Sequence, residues 1–341
     1  MTSSPESTSV GGRGRGGEVS VIILAHNRRR SVERSLRLLE GMQVEEVIVV
    51  DNASTDGTAE MVRARGGRAK VVRSTENVGV AGRNLGAQAA RGEFLLLLDD
   101  DSHPYPGAVE ALREAFEEQP RLGVVGGFIR DQDREGRPLP DGAVGTFDWW
   151  LRAGASGDPP REGFPSPHFP ECGCLIRREA YFDAGGFFEP YFFHISEPDF
   201  AIRLLTSGWD VRYLPTARFE HVKEPRSEEY LGRNLCFRVR NQLWYCWRHY
   251  PLDIALRRML VFALLDLIEC VWLGATRWWL SGVAAAWRER DAVRGTRAPI
   301  PRALVPRAEL GRGRMQLAFM LWMFRRKVLS PLLPAKRRTA G

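Results

Sequence analysis

Three consecutive carboxylates, Asp99, Asp100 and Asp101, follow the unbroken apolar run Phe94-Leu95-Leu96-Leu97-Leu98. Burying bare charge is too costly for these acids to lie inside a packed segment. They must stand at its end, in water or on a cation. Hard oxygen donors beside a phosphate ligand suit magnesium or manganese. The alternative is a solvated turn in which Pro104 and Pro106 open the next helix. A second acid group lies in Ser196-Glu197-Pro198-Asp199. Pro198 fits the first turn of a helix there. A carboxylate at that place is either a general base or a charge favoured by the helix dipole.

These residues need a scaffold. Five apolar residues in a row suit a strand buried on both faces, as in a parallel sheet. Apolar strands are expected at Val19–Ala25, residues 47–50 ending at Asp51, residues 71–72, residues 94–98 and residues 124–125. Amphipathic helices between them carry Val32 and Leu36, Ala81 and Leu85, and Val109, Leu112 and Phe116. This alternation predicts an α/β doubly wound, mostly parallel sheet with right-handed crossovers. Asp51 and Asp99 both end strands and so face its carboxyl edge, where such sheets bind ligands. A dinucleotide-binding domain would need Gly-x-Gly-x-x-Gly after the first strand, but Ala25-His26-Asn27-Arg28 stands there. Gly79, Gly82 and Gly86 have the wrong spacing and place. Past Gly127 the chain reads as irregular, with Trp149 and Trp150 as either an acceptor-stacking surface or a hydrophobic plug. A short strand at residues 211–213 and a turn at Pro215-Thr216-Ala217 precede His221.

The net charge of +7 hides an asymmetry. From Arg226 onward 22 Lys and Arg face 8 Asp and Glu, leaving 27 against 34 before it. Seven of the ten tryptophans also lie in that tail. An acidic front half carries the chemistry, and a basic, Trp-rich back half meets something anionic. The tail reads as helical, with apolar stretches at residues 259–274, broken by Asp266 and Glu269, and at residues 315–324. Neither reaches the roughly 20 residues of a spanning helix. Helices lying in a membrane interface are one reading, and a bundle packed on the catalytic domain is the other. No nucleic-acid-binding module is apparent. Five cysteines lack a disulfide framework, which suggests a reducing compartment. Residues 1–17 read as a disordered leader without a secretory signal.

Residues 19–27, 47–58, 76–79, 83–86 and 98–101 stand in the order and spacing of family 2 glycosyltransferases. The match continues through residues 172–179, 185–187 and 199–203 and closes at Pro215, Ala217 and His221. Over residues 18–223 the chain thus resembles that family. The resemblance implies a GT-A fold, a nucleotide-diphosphate-sugar donor and inverting transfer of a hexosyl or deoxyhexosyl unit to a hydroxyl. It implies that Ala25, His26, Asn27 and Asp51 line the base and ribose pocket, with Asn77, Arg83, Asp99 and Asp100 on the rest of the donor. Asp101 would hold a divalent metal, manganese or magnesium, with His221 completing the site. Glu197 would be the base, with Asp199 as the alternative. Ser196 departs from the family, which has an acid there. The expected division is a leader (1–17), a GT-A domain (18–225) and a helical tail (226–341). The expected partners are the donor, a lipid-linked or cell-envelope glycan acceptor and an anionic membrane, with no nucleic acid. The expected place is the cytoplasmic face of the cell membrane. A non-catalytic carbohydrate-binding or scaffold protein on the same fold is the other reading.

Overall fold

A computed structural model describes residues 18–139, 158–224 and 227–308. The expectations for residues 1–17, for Trp149 and Trp150, and for residues 315–324 lie outside the described residues. The first half runs β1 (Val19–Ala25), α1 (Arg29–Leu38), β2 (Glu46–Asn52), α2 (Thr58–Arg65), β3 (Ala69–Ser74), α3 (Arg83–Ala89) and β4 (Phe94–Asp99). The second half runs β5 (Ser102–Pro104), α4 (Ala108–Glu117), β6 (Leu122–Gln132), β7 (Phe164–Pro165), β8 (Cys174–Arg177), α5 (Arg178–Asp183), α6 (Ser196–Thr206) and β9 (Asp210–Val222).

The sheet order is β3-β2-β1-β4-β8-β6-β9-β5, with β7 on β9. The first four strands are parallel, as expected. The short strands β5, β7 and β8 pair antiparallel, β7 and β8 coming from the stretch past Gly127, while β6 and β9 pair parallel.

Strand period explains the apolar run before the acids. Phe94, Leu96 and Leu98 pack on one face with Val32, Leu36, Val62, Val109 and Leu112. Leu95 and Leu97 pack on the other with Ala87, Ala180, Phe200 and Leu204. Both faces are covered by helices, so no polar position is left along β4 until Asp99.

Two boundaries differ from the expectation. β6 continues to Gln132, and β9 is one strand of 13 residues. The Pro215–Ala217 segment is a bulge within β9: the pairing of Gly127 with Leu214 is followed by that of Phe128 with Arg218. Pro cannot donate to a ladder, so the extra residues loop out and pairing resumes. His221 therefore sits in a strand, paired with Ser102 of β5 and Asp131 of β6.

The tail begins with α7 (Glu228–His249), α8 (Leu252–Trp272) and α9 (Thr276–Arg288). Ser227 caps α7 by accepting from the Tyr230 amide at 3.2 Å. Trp244, Tyr245 and Tyr250 pack with Tyr191 and Ile202 of the α/β domain. The start of the tail is thus docked on the sheet domain.

Candidate functional site

The carboxyl ends of β1 and β2 form one wall. Ala25 is buried. The His26 ring meets the Asn52 carbonyl through Nδ1 at 2.8 Å. Asn27, at φ +55°, accepts from the Thr55 amide at 2.8 Å. Asp51 is fully buried; Oδ1 accepts from the Ser54 amide at 2.9 Å, and Oδ2 lies 3.4 Å from Arg73 Nε without a hydrogen bond. Asn77 serves its own turn, accepting from Asn52 Nδ2 at 2.9 Å and from the Gly79 amide at 3.0 Å. Its oxygen is thereby occupied within the protein.

The acid triplet divides. Asp99, Asp101 and His221 each offer one ligand atom, all within 4.8 Å of one another. His221 Nε2 is 3.2 Å from Asp101 and 4.0 Å from Asp99, while Nδ1 meets Asp131 at 2.8 Å. A partner on Nδ1 leaves Nε2 for the cluster. Asp100 turns the other way, with Oδ2 3.7 Å from Arg28 Nε. Sequence reasoning set Asp99 on the donor and Asp101 with His221 on the metal; the geometry brings all three together.

The charges of the triplet act on their neighbours. Burial, then the Asp101 and Asp99 charges, push the Asp100 carboxyl up to about 8 despite Arg28. Burial disfavours the His221 imidazolium, yet its hydrogen bonds to Asp101 and Asp131 and the carboxylate charges push it up to about 10. Two carboxylates and an imidazole also fit a divalent ion, and the carboxylate majority favours manganese or magnesium.

Among the described residues Arg83 is the largest fully buried side chain. Its guanidinium donates to Asp99 Oδ1 at 2.5 Å and sits 3.8 Å from Glu171 Oε2. Burial alone would lower its proton affinity, but Asp99 and Glu171 raise it above the usual value. Ser196 Oγ donates to Glu171 Oε1, and lies 3.4 Å from Glu197 Oε2. A continuous chain of contacts therefore joins His221 and Asp99 to Glu197 through Arg83, Glu171 and Ser196. Sequence reasoning missed Glu171; an acid within the apolar segment Phe169-Pro170-Glu171-Cys172 was its one signal.

Glu197 and Asp199, both on α6, face different surroundings. Burial raises Glu197 above the ordinary glutamate range, with its own backbone, Glu171 and Arg83 pulling back. Asp199 is fully buried and engaged on every side. It accepts from Arg203 Nε at 2.9 Å, Tyr191 Oη at 3.0 Å and Arg248, and pairs with His249 Nε2 at 2.7 Å. Burial opposes its charge, but Arg203, His249 and Arg248 outweigh that and hold it far below the usual carboxylate range.

The loop entering α6 is strained and held from outside. Phe192, His194 and Ile195 have φ of +60°, +62° and +65°. Left-handed non-glycine residues cost on the order of 1–3 kcal/mol each. Asn241 of α7 donates to the carbonyls of Tyr191, Phe193 and His194 at 2.9, 2.6 and 3.1 Å. Gly79, at φ +62°, lets the Phe192 carbonyl approach: a Cβ there would lie 1.9 Å from that oxygen. The adjacent Val80 amide donates to it at 2.8 Å.

A two-faced α/β sheet with an acid rim at its carboxyl edge and a buried carboxylate helix beside it defines a GT-A transferase fold. The structure is similar to GalNAc-T7 with UDP, GalNAc and Mn2+ (TM-score 0.57, 16% identity, 82% of this chain and 59% of that one). It is also similar to the mannosyltransferase PcManGT from Pyrobaculum calidifontis in complex with GDP-Man and Mn2+ (TM-score 0.53, 20% identity, 91% and 86%). Residues 20–183 match the model described as Glycosyl transferase family 2, so the chain carries a domain of that family there. A curated relative, the N-acetylglucosaminyl-diphospho-decaprenol L-rhamnosyltransferase of Mycobacterium tuberculosis, is 28% identical over 204 residues. That alignment spans 52% of this chain and 66% of the relative, just under two thirds of its length. The glycosyltransferase YfnE of Bacillus subtilis is 35% identical over 33% of this chain and 30% of its own.

Proposed function

We propose that this protein is an inverting, metal-dependent glycosyltransferase. It moves a hexosyl or deoxyhexosyl unit from a nucleotide-diphosphate sugar to a hydroxyl of a lipid-linked or cell-envelope glycan. The observation that carries the reading is the contact chain from the Asp99, Asp101 and His221 group to Glu197. It links a candidate cation site to a carboxylate of raised proton affinity through contacting side chains. Manganese or magnesium there would offset the diphosphate charge and stabilise the leaving group.

The chain's own residues supply the rest. Asp51 Oδ2, an acceptor free of hydrogen bonds, suits a nucleobase N–H. His26 and Asn27 flank it. Arg83 fixes the Asp99 carboxylate. Glu197 accepts the acceptor hydroxyl's proton as its oxygen attacks the anomeric carbon. Asp199 is assigned to holding α6, because its oxygens are occupied by Arg203, Arg248, His249 and Tyr191.

The relative named for a diphospho-decaprenol acceptor supports a lipid-linked acceptor here. So does α8. Asp266 and Glu269, which interrupt its apolar run, turn inward onto Arg238 at 3.3 and 2.8 Å. Leu256, Leu260, Leu264, Ile268 and Val271 are left on the outside. An outward apolar face on a basic tail suits the anionic inner face of a cell membrane, touched peripherally. No described helix is long and apolar enough to cross a membrane.

The test is a panel of nucleotide sugars with manganese, read by thermal stabilisation and by calorimetry, on wild type, Asp101→Ala and Glu197→Gln. At least one donor binds the wild type and Glu197→Gln, and none binds Asp101→Ala. A scaffold protein would bind no donor in any form.

A further inference from the structure

Asp131 is a buried acid, 2% exposed, that the reaction as described leaves without a task. It lies near the end of β6, in the stretch whose sequence reads as irregular. Both of its oxygens are engaged inside the protein. Oδ1 accepts from His221 Nδ1 at 2.8 Å, and Oδ2 accepts from Lys223 Nζ. Asp131 thus stands behind the group formed by Asp99, Asp101 and His221, and not within it.

The pairing of β6 with β9 puts it there. Gly127 pairs with Leu214, and the same step carried on would set Asp131 opposite Arg218. The bulge at Pro215–Ala217 adds three residues to β9, so that Arg218 pairs with Phe128 and His221 with Asp131. Backbone bonds hold this register. The Val222 amide donates to the Asp101 carbonyl at 2.9 Å, and the Lys223 amide to the Gln132 carbonyl at 2.8 Å. His221 is thereby held between Asp131 and Asp101, with Nδ1 on the first and Nε2 on the second.

We propose that Asp131 is a positioning residue for the cation site: it fixes the His221 ring with a proton on Nδ1 and Nε2 turned to Asp99 and Asp101. An ionised carboxylate only accepts, so the ring nitrogen that faces it must carry a proton. Lys223 makes the assignment strict. An ammonium only donates, so the side chain of residue 131 must offer it an acceptor. A carboxylate has one oxygen for each neighbour. An amide would give its oxygen to Lys223 and its NH2 to His221. The ring would then carry its proton on Nε2, aimed into the site, where it blocks ligation. With aspartate in place, Nε2 releases any proton to solvent on ligation, while the Nδ1 proton stays in its bond with Asp131.

The role toward a cation rests on the metal-dependent transferase reading; the bond between His221 and Asp131 does not. The test titrates the full chain with manganese, alone and with UDP or GDP. Free ion is read by EPR, and bound ion by the pulsed-EPR modulation from a ligating nitrogen. The wild type shows that modulation and His221→Ala does not. Asp131→Asn binds manganese on the order of 10–100-fold more weakly and lacks the modulation at saturation. Adding Lys223→Met, at a half-exposed position, frees the amide to turn its oxygen to His221, and the modulation returns. Asp131→Asn that binds manganese as tightly as the wild type overturns the proposal. So does weaker binding with the modulation intact, which would make Asp131 a distant charge only. A double variant that stays without the modulation, or a wild type that binds manganese without it, also overturns the proposal.

NMR of the metal-free wild type carrying 15N-histidine is the second readout, and it requires no Asp131 variant to fold. One Nδ1 proton, assigned by its loss in His221→Ala, is expected to be protected from solvent exchange. A His221 Nδ1 without a protected proton overturns the proposal. A wild type that keeps this proton but binds no manganese in any condition sinks the cation reading, and the positioning role with it, while the bond stands.

Discussion

Glu197 works against its surroundings. As the proposed base, its carboxylate must be ionised to accept a proton, yet burial raises its proton affinity. Activity is therefore expected to fall as the pH drops through a value above the ordinary glutamate pKa of about 4.3. The sign follows from the shift: the protonated form is inactive and persists to higher pH than in free glutamate. A pH profile of kcat for the wild type checks this, and an acid limb at or below that ordinary value would remove Glu197 as the base. Glu197→Gln is expected to lower kcat by roughly 10²–10⁴-fold without loss of donor binding. At this scale the sequence was readable where chemistry coincides with strand ends. Asp51, Asp99 and Asp101 had to stand at the carboxyl edge because β2 and β4 are buried on both faces. Arg83 and Glu171 were not readable in the same way. An arginine in Gly82-Arg83-Asn84 looks like a helix surface, and its burial depends on Asp99, which the fold brings to it.

The helix that carries Glu197, α6, is held by contacts from other elements. Its entry loop carries three strained residues, and what holds them comes from elsewhere: Asn241 from α7 and the Gly79 turn. Asn241→Leu keeps the volume but removes the amide that serves the Phe193 and His194 carbonyls, while the Tyr191 carbonyl keeps Arg240 Nη2 at 3.1 Å. Each buried unmet group costs about 1–3 kcal/mol. Loss of kcat with donor binding intact is expected, together with a lower Tm, measured by calorimetric unfolding and steady-state kinetics. Asn241→Leu with native kcat would mean the loop holds itself. The Asp199 clamp gives a second expectation at this scale. Its carboxyl is held below the usual range when folded, so the unfolded chain binds a proton more tightly. The stability it contributes is full above the unfolded value of about 3.9 and is lost as the pH falls below it toward the folded value. Arg248→Ala removes one partner of a buried charge and should cost roughly 3–5 kcal/mol near neutral pH, with a smaller difference in acid. Denaturant melts of both proteins at pH 7 and pH 3 test the sign. Pro198 marks a helix start in the sequence, but nothing there hints at this clamp, since Arg248 and His249 lie some fifty residues on, in a separate helix.

Over the whole molecule, the composition of the tail left open packing on the sheet domain and contact with a membrane. α7 packs on the sheet domain and clamps Asp199, while α8 shows a face of leucine, isoleucine and valine to the outside. Hydropathy along the chain could not separate these, because Asp266 and Glu269 count against an apolar helix wherever they point. Only the fold shows that they turn inward to Arg238. If the outer face meets a membrane, its leucines leave water on docking, each contributing roughly 1 kcal/mol or more. Basic residues of the tail add an attraction to anionic lipid that salt screens. The full chain is expected to float with vesicles containing phosphatidylglycerol at low salt. It should float less at 0.5 M salt, on the order of ten times the screening of dilute buffer. Leu260→Glu with Leu264→Glu should remain in the dense fraction while keeping nucleotide-sugar binding, since neither residue touches the sheet's acid rim. If the double variant floats as well as wild type, α8 is not the docking face. If the wild type stays in the dense fraction with every vesicle, the membrane reading fails and the apolar face must be covered by protein.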